Sequence, residues 1–585
     1  MMRTTRSARG LAVVAALALT VTACGGSGGD DGGSGAENGP ADGGTLTFLT
    51  LQDQLQHLDP QRNYTGEDLA FANGYLQRTL TAYKYSPDGE ESTGLVPDLA
   101  TDTGSSSEDA KTWTFTLKDG VTFEDGTPIT CEDIRYGVSR TFATDVITDG
   151  PTYAISLLDI PTDKDGNSVY KGPYVTKAND QAAFDKAVEC TDDKTVVFHL
   201  NQPVGDFNYA VTLLSFSPVP ASADTGEKYD DKPVSSGPYK IQSYEKGSQL
   251  VLIRNDNWNR ESDDYRPAHP DRIVVKFGLD TTVIDQRLIR DSGDDQRALT
   301  EGDPLDPSNL ATVFKDDRFA DRRTNELDPY VRYIAINTAK VPNLEHRKAI
   351  AVAMDRAQLR TVAGGQFAGD LGDGVIKPNL PTDYAPSGMF SGLLGQEVPD
   401  TGDPDAAKQL IADSGTPMPT LRFDYPQTTV NDKQAASLVG ALAKAGIKVT
   451  PNPIEAGQFY GIVLDPAKEG HLVWASWGPD WSNASTVIPE LFTPNGGFNL
   501  SQVDDQAFNE KSAQAKASTD RQAQAELWKE LNKEAMEKVW VVPTRFGRDQ
   551  RLAGSKVGSA SGKDGLVYLW APFGSWPYGD LFVRP

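Results

Sequence analysis

A cluster of aromatic and acidic residues stands out in the last quarter of the sequence. The stretch WASWGPDWSNAST, residues 474–486, places Trp474, Trp477, Asp480 and Trp481 within eight residues. A buried carboxylate can accept charge-assisted hydrogen bonds from an ammonium group, each worth about 1.5–3 kcal/mol. Neighbouring indole faces exclude water and add a cation–π attraction of about 0.5–2 kcal/mol. The stretch therefore has the chemistry to hold a cationic group, although an aspartate that follows a proline could instead simply close a turn.

The same residues also allow structural roles. Trp474 lies three residues before Trp477 in what reads as the end of a strand, so their side chains should point to opposite faces. We assign Trp474 to the core, and a core position remains open for Trp477 and Trp481. Asn483 precedes a segment, NASTVIPELF, that predicts a helix, and N-capping is favoured over ligand contact for its side chain.

The sequence has few of the residue patterns that support catalysis or metal binding. There is no His-Glu-x-x-His, no Cys-x-x-Cys and no Walker A lysine loop, and five histidines are scattered along the chain, at His57, His199, His269, His346 and His471. A pair of carboxylates of the kind that glycosidases use could be hidden among the many acidic residues, but no two of them are singled out. We expect no enzymatic activity, no cofactor and no metal site.

The first residues predict export. Three arginines precede a short apolar run, Leu11 to Leu19, and Cys24 follows small residues. This pattern resembles the bacterial lipoprotein signal, which implies removal of residues 1–23 and acylation of Cys24; a plain secretory signal is the alternative. Residues 24–43 are rich in glycine, which predicts a flexible tether. We expect a protein held at the outer face of the cytoplasmic membrane by the lipid on Cys24.

Charge and cysteine content agree with an exported protein. The net charge is −26, which repels nucleic acid and offers no basic patch to a membrane surface. Apart from Cys24 the chain has only Cys131 and Cys190, and one pair in a secreted chain suggests one disulfide, with two free buried thiols as the alternative.

Strand and helix patterns are mixed along the remaining chain. Strands are predicted at TLTFLT, TWTFTL, TVVFHL, SQLVLIRN, RIVVKFGL and YVRYIAIN, which begin at residues 45, 112, 195, 248, 272 and 330. A helix is predicted from Asn343 to the glycines at 364 and 365, and another around Trp528. Irregular alternation of this kind indicates a large α/β protein and not a barrel or a repeat.

A family resemblance appears at residues 113–140, WTFTLKDGVTFEDGTPITCEDIRYGVSR, and continues in the expected order along the chain. Further matching stretches are LDP at 58–60, LVPDLAT at 95–101, SSGPYKIQSY at 235–244, RNDNW at 254–258, RKAIAVAMDR at 347–356 and DAAKQLIADSG at 405–415. Together they resemble the family 5 extracellular solute-binding proteins of ABC transporters, the oligopeptide- and dipeptide-binding class. The pair Cys131 and Cys190 resembles actinobacterial lipoproteins of this family.

The resemblance implies a two-lobed α/β architecture, the periplasmic-binding-protein type II fold of cluster C, with an extra domain in the first lobe. By analogy, lobe I comprises 44–86, 216–310 and 545–585, the extra domain is 87–215, and lobe II is 311–544. The extra domain would hold the bridge between Cys131 and Cys190.

The resemblance also implies a function and its residues. Asp480 would receive the α-ammonium of a bound peptide, flanked by Trp477 and Trp481, with Asn483, Tyr64 and Phe498 as further contacts. The protein would be a monomer that delivers its ligand to a membrane permease with separate ATPase subunits. Oligosaccharides and metal chelates are alternative ligands within the family, and a secreted hydrolase is the alternative of another class.

Overall fold

The computed structural model describes residues 39–177 and 179–585 of the chain. The expected signal peptide at 1–23, the lipidated Cys24 and most of the tether at 24–43 lie outside the described residues. Within the described ranges, no helix has both the length and the apolar character that crossing a bilayer requires.

Strands and helices alternate along the chain. The strands are β1 (Thr45–Leu49), β2 (Thr81–Tyr83), β3 (Leu95–Pro97), β4 (Ser105–Ser106), β5 (Thr112–Thr116), β6 (Val188–Cys190), β7 (Thr195–His199), β8 (Tyr239–Glu245), β9 (Gln249–Arg254), β10 (Arg272–Lys276), β11 (Ala298–Thr300), β12 (Arg323–Ile336), β13 (Gly369–Asp370), β14 (Leu421–Pro426), β15 (Val449–Ile454), β16 (Leu472–Trp477), β17 (Val541–Leu552), β18 (Val557–Ser559) and β19 (Leu581–Val583).

The α-helices are α1 (Gly66–Tyr75), α2 (Gly89–Thr93), α3 (Cys131–Arg140), α4 (Tyr153–Leu157), α5 (Gln181–Ala187), α6 (Phe207–Ala210), α7 (Thr281–Arg290), α8 (Pro307–Lys315), α9 (Leu344–Ala353), α10 (Arg356–Ala363), α11 (Met389–Gly392), α12 (Pro404–Asp413), α13 (Thr429–Lys444), α14 (Phe459–Val463), α15 (Ile488–Phe492), α16 (Gln506–Ala517) and α17 (Arg521–Glu537).

The first lobe is built on a five-stranded sheet in the order β11-β1-β10-β9-β8. β1 runs parallel to β10 and β11, whereas β9 is antiparallel to both β10 and β8. β1 has the sequence TLTFL, and its β-branched and aromatic residues suit a strand that is covered on both faces. Leu46 and Phe48 in this strand are fully buried.

The second lobe is built on a six-stranded sheet in the order β13-β17-β12-β16-β14-β15. β16 is antiparallel to β12 on one side and parallel to β14 on the other. Trp474 in β16 lies opposite Ile334 of β12 and is buried in the core of this lobe, as expected from the sequence. Residues 474–477 form the C-terminal end of β16 in this sheet.

Two long strands, β12 and β17, run from one lobe to the other, and we call them the crossing strands. Their pairing is continuous except for register shifts between Leu327 and Val331 and between Arg332 and Tyr333. At one end Leu552 shares an apolar cluster with Leu49 of β1, and at the other Val331 belongs to the core of the second lobe. The lobe boundary predicted between residues 544 and 545 falls inside β17, so the division of the chain into lobes stays a prediction.

A four-stranded antiparallel sheet, β4-β5-β7-β6, lies within the segment 87–215. Helix α3 packs near it and begins with a reciprocal capping box between Thr130 and Asp133. A disulfide joins Cys131, the first residue of α3, to Cys190 at the end of β6, with their Cα atoms 5.7 Å apart. The bridge therefore fixes the start of the helix against the sheet.

The helix expected from Asn343 to Gly364 is two helices. Asn343 caps α9 as expected, since its side chain accepts a hydrogen bond from the Glu345 backbone. The chain leaves the helical conformation at Met354, where ψ is 124°, and the Asp355 side chain caps α10 by accepting from the Gln358 backbone. A second strong N-cap inside a periodic apolar pattern explains the break.

Candidate functional site

The segment after β16 folds into a loop that is held by its own hydrogen bonds. The indole N–H of Trp477 donates to the backbone carbonyl of Thr486 at 2.8 Å, and the backbone N–H of Asp480 donates to the Thr486 hydroxyl at 3.1 Å. A short 3-10 helix, Ala484–Thr486, closes the loop, and the Asn483 side chain caps it by accepting from the Ser485 backbone at 2.9 Å. The position of the Asp480 carboxylate is thus fixed from within the second lobe.

Two tyrosines of the first-lobe side of the molecule meet the Asp480 carboxylate. The Tyr64 hydroxyl donates to Asp480 Oδ1 at 2.7 Å, and the Tyr153 hydroxyl donates to Oδ2. Burial raises the pKa of Asp480 to about 6, and the two tyrosine hydrogen bonds oppose that rise. Burial and the nearby carboxylate raise the pKa of both tyrosines, so each hydroxyl stays protonated as a donor at physiological pH.

A cavity of about 480 Å³ opens beside this carboxylate. Its wall combines residues of both lobes and consists of Tyr64, Gly66, Leu69, Pro329, Tyr330, Tyr460, Ser476, Trp477, Gly478, Pro479, Asp480, Phe498, Pro572 and Phe573. Aromatic rings cover much of it: the ring centroids of Trp477 and Phe498 are 4.6 Å apart, and those of Tyr460 and Phe498 are 5.1 Å apart. Of the described residues that form this wall, Asp480 alone carries a charge at neutral pH.

Four of the six residues predicted to contact a ligand therefore lie together at this cavity, namely Asp480, Trp477, Tyr64 and Phe498. Trp481 lies elsewhere, because its indole enters the core of the first lobe and is only 6% exposed. Its ring packs edge-on against Tyr153 at 4.8 Å, and its N–H donates to Asp206 at 2.8 Å. Trp481 joins the lobes and does not line the cavity.

Asn483 is also kept away from the cavity. Its side chain is fully buried, with Oδ1 occupied by the helix cap and Nδ2 donating to Gln524 at 2.7 Å. The capping role favoured from the sequence is the one that the structure shows, and no polar group of the Asn483 side chain is left for a ligand.

Several residues of the site were not identified from the sequence. Tyr153, Tyr330, Tyr460 and Phe573 come from four distant segments. Tyr153 and Tyr460 lie in the first turns of the short helices α4 and α14, Tyr330 lies in β12, and Phe573 lies in a turn. An exposed large aromatic residue is a weak signal of a binding surface, and Tyr330 and Tyr460 are 43% and 41% exposed. That signal appears only once the fold is known.

In the described part of the chain, no group of three or more histidine, cysteine, aspartate or glutamate side chains is arranged to hold a metal ion.

Comparison with known proteins gives a consistent result. A family model described as bacterial extracellular solute-binding proteins, family 5 (middle), matches residues 94–499. The oligopeptide-binding protein OppA of Bacillus subtilis (strain 168) is 22% identical over 506 residues, which are 82% of this chain and 84% of that protein. The periplasmic oligopeptide-binding protein OppA of Salmonella typhimurium is 26% identical over 483 residues, 79% of this chain and 81% of that protein.

The fold comparison covers nearly the whole chain. The solved structure of clavulanic acid biosynthesis oligopeptide binding protein 2 matches with a TM-score of 0.81 at 30% identity, over 93% of this chain and 96% of that one. This agreement confirms the two-lobed α/β fold expected from the sequence.

Proposed function

The chain belongs to the bacterial extracellular solute-binding proteins of family 5, and on that premise we propose that it captures oligopeptides for an ABC importer. The proteins that it resembles are binding proteins and not enzymes. The names of those relatives support peptides as the ligand class. The observation that carries the proposal is the single carboxylate, Asp480, in an aromatic cavity that both lobes enclose.

Asp480 is suited to an α-ammonium group. A carboxylate offers about four lone-pair positions, and two of them are taken by the tyrosine hydroxyls. An ammonium that fills the remaining positions gains charge-assisted hydrogen bonds of about 1.5–3 kcal/mol each. The ligand's positive charge would also stabilise the ionised form of a group whose pKa is raised to about 6.

Capture would proceed by closure of the two lobes on the ligand. Tyr64 and Asp480 come from opposite sides of the cavity and are joined by a hydrogen bond. A ligand that contacts both sides would favour the closed form. The peptide backbone would be held by hydrogen bonds, with its side chains in the aromatic cavity. The closed complex would then be recognised by a permease, with separate ATPase subunits supplying the energy, and the protein would act as a monomer.

The same proposal includes the location of the protein in the cell. Cys24 would carry a lipid that holds the protein at the outer face of the cytoplasmic membrane, and residues 24–43 would let the two-lobed body move beside the permease. The supporting features are the basic and apolar residues before Cys24 and the glycine-rich stretch after it. Metabolic labelling with a radioactive fatty acid, compared between the protein and its Cys24→Ala variant, tests the anchor.

Thermal unfolding tests the ligand class. The purified protein is heated with trialanine to hexaalanine, with their N-acetylated forms and with oligosaccharides, and Asp480→Ala is treated in parallel. A ligand present at 100 times its Kd stabilises a protein by about 2.7 kcal/mol, which shifts the midpoint measurably. We expect a shift with free-amine peptides and little shift with acetylated peptides or with the variant. A shift with oligosaccharides alone would keep solute binding and overturn peptides.

A further inference from the structure

The two lobes also meet away from the cavity, through the residues just before α6. Asp206 Oδ2 accepts hydrogen bonds from the indole N–H of Trp481 at 2.8 Å and from the Ser485 hydroxyl. The backbone N–H of Gly205 donates to the carbonyl oxygen of Lys516 at 2.7 Å. None of these five residues is among the described residues that line the cavity. We call this set of bonds the second inter-lobe contact.

Asp206 makes this contact instead of capping its own helix. It stands at the N-cap of α6, where an aspartate side chain commonly accepts a backbone N–H from the first turn. Its side chain makes no such bond, and its carboxylate, in a residue that is 2% exposed, bonds to the second lobe. The carboxylate is therefore placed for the neighbouring lobe and not for the local helix.

Gly205 allows the two backbones to approach each other closely. A Cβ added at this position would lie 1.9 Å from the carbonyl oxygen of Ser518, and its three nearest atoms all belong to Ser518 and Thr519 of the second lobe. Gly205 does not have a positive φ, so its own backbone conformation is open to other residues. Glycine is needed here because of the neighbouring lobe.

The segment that carries this contact is attached to the first lobe. Phe207, the residue after Asp206, belongs to the same apolar core as Phe48 of β1. The partners of Gly205 and Asp206 all lie in the second-lobe part of the chain between β16 and β17. A movement that parts the lobes and opens the cavity would therefore also separate the second inter-lobe contact.

Unpaired buried groups oppose the formation of this contact. Among the residues that the structure describes, three buried polar atoms in and beside it have no hydrogen-bond partner, namely Asp206 Oδ1, Ser482 Oγ and Arg521 Nε. Asp206 and Arg521 also border a cavity of about 340 Å³. Burial of unpaired polar atoms disfavours the closed arrangement, and water reaches them again when the lobes part. This balance suits a contact that forms and breaks with each capture and not a permanent one.

We propose that Gly205 and Asp206 are positioning residues for ligand capture, which hold the loop of Asp480 when the lobes close and release it when they open. Ser485, which bonds to Asp206, immediately precedes Thr486, whose hydroxyl accepts the backbone N–H of Asp480 at 3.1 Å. The contact thus reaches the ligand site through one short loop without touching the ligand. This inference rests on the proposed function and adds to it a ligand-independent source of closure.

The inference predicts a uniform effect on affinity. Because the second inter-lobe contact does not touch the ligand, weakening it lowers the closed fraction of the protein by one factor, whichever peptide is present. The apparent Kd rises by the same factor as the competent fraction falls. A change at the Asp480 carboxylate differs from this, since its effect depends on whether the peptide has a free amino group.

Gly205→Ala is the most direct variant, because its methyl group would overlap the Ser518 carbonyl oxygen. Isothermal titration with trialanine and with pentaalanine is expected to show an increase in Kd of about tenfold or more, equal for the two peptides. Gly440→Ala is the matched control, at an exposed glycine of α13 where an added Cβ meets no atom within 4 Å, and it should leave both Kd values unchanged. Unchanged affinity in Gly205→Ala, a loss that differs between the peptides, or an equal loss in the control would overturn the inference.

Milder variants keep the test valid if Gly205→Ala does not fold. Asp206→Ala and Ser485→Ala should each raise both Kd values, about two- to tenfold for the serine hydroxyl. The double variant should bind no more weakly than Asp206→Ala alone, because the hydroxyl then has no carboxylate to lose. Urea unfolding provides the structural readout: a lower midpoint for Asp206→Ala with unchanged peptide affinity would show that Asp206 only supports the fold.

Small-angle X-ray scattering separates failure of this inference from failure of the proposed function. If neither peptide binds the unmodified protein, the proposed function fails, and the radius of gyration without ligand decides the rest. A larger radius for Gly205→Ala than for the unmodified protein would keep the second inter-lobe contact as a hold on the closed form. Equal radii in that case would rule it out.

Discussion

The Tyr64 hydroxyl donates a hydrogen bond of 2.7 Å to Oδ1 of Asp480, a residue 416 positions further along the chain. Tyr64 comes from the segment just before α1 in the first lobe, and Asp480 from the loop after β16 in the second. The carboxylate proposed to bind the ligand therefore also connects the lobes. Changes at either residue should affect both binding and closure.

Removing the Tyr64 hydroxyl should weaken the binding of free-amine peptides. Tyr64→Phe takes one donor from Asp480, which raises the pKa of the carboxyl further and leaves its orientation less fixed. A neutral hydrogen bond contributes about 0.5–1.5 kcal/mol, so a two- to tenfold increase in Kd is expected by isothermal titration. Tyr460→Phe is the matched control, since Tyr460 lines the same cavity without contacting Asp480; equal effects of the two changes would contradict the role of Tyr64.

Peptide affinity should depend on pH through Asp480. Its pKa in the free protein is about 6, raised by burial and, to a smaller extent, by Glu490. An ammonium ligand binds the ionised form, so the complex has a lower pKa than the free protein. Affinity should be highest near pH 7 and fall as the pH drops below about 6, by at most tenfold per unit. It should fall again above about pH 8, where the peptide's α-ammonium, with a pKa of about 7.7–8.0, loses its proton. Titrations from pH 4.5 to 8 check this, and an Asp480→Asn variant with the same pH profile would rule out Asp480 as the titrating group.

Asp480→Asn should stabilise the protein without ligand. The carboxyl pKa is about 6 in the folded protein against a reference of 3.8, so the native state binds more protons between these values and loses stability as the pH rises through them. Each pKa unit corresponds to about 1.4 kcal/mol, which sets an upper limit of about 3 kcal/mol on the gain at pH 7. Urea unfolding at pH 7 and at pH 4 measures it. The gain should be smaller at pH 4, and a loss of stability at pH 7 would contradict the prediction.

Trp481→Phe should loosen the contact between the lobes. The substitution keeps most of the buried ring but removes the N–H that donates to the buried Asp206, at a cost of about 1–3 kcal/mol. We expect a larger radius of gyration for the free protein by small-angle X-ray scattering. Trp477→Phe removes an indole hydrogen bond that stays within one loop, to Thr486, and should leave the radius unchanged. The same radius in both variants and the unmodified protein would show that Trp481 does not hold the lobes together.

Loss of the disulfide should lower stability. Cys131 and Cys190 are separated by 59 positions, and closing a loop of this length stabilises a fold by about 4 kcal/mol in the chain-entropy model. The double variant Cys131→Ala, Cys190→Ala should therefore unfold at a lower urea concentration than the unmodified protein. The control is the unmodified protein in the presence of a reducing agent, and its midpoint should drop by the same amount. Identical midpoints with and without the bridge would contradict the prediction.

The local structure was predictable where sequence pattern and packing agree. All six predicted strands form, because each carries alternating or continuous apolar residues that a covered sheet needs. The start of the helix after Asn343 is predicted correctly, but the break at Met354 is not. An apolar spacing that continues past residue 354 hides the break, although Asp355, which caps the start of α10, is a residue type favoured at N-caps.

The site was predictable only in part, and the reason is its construction from distant segments. Asp480 and Trp477 were identified from their own short motif, and Tyr64 and Phe498 also reach the cavity. The same motif suggested that Trp481 flanks the ligand, yet this indole points into the other lobe. Which way a loop side chain points depends on the partner lobe, and neither Tyr153 nor Asp206 reveals in the sequence that it will meet this loop.

The break in the pairing of the crossing strands lies beside the cavity. The register shift between Leu327 and Val331 leaves Asp328, Pro329 and Tyr330 outside the ladder with β17, and a proline has no N–H to give to it. Two of these three residues form part of the cavity wall, and the third binds Lys377 and Arg332. The break in the ladder between the crossing strands and one wall of the cavity are therefore the same short segment. A ligand in the cavity would contact this break directly.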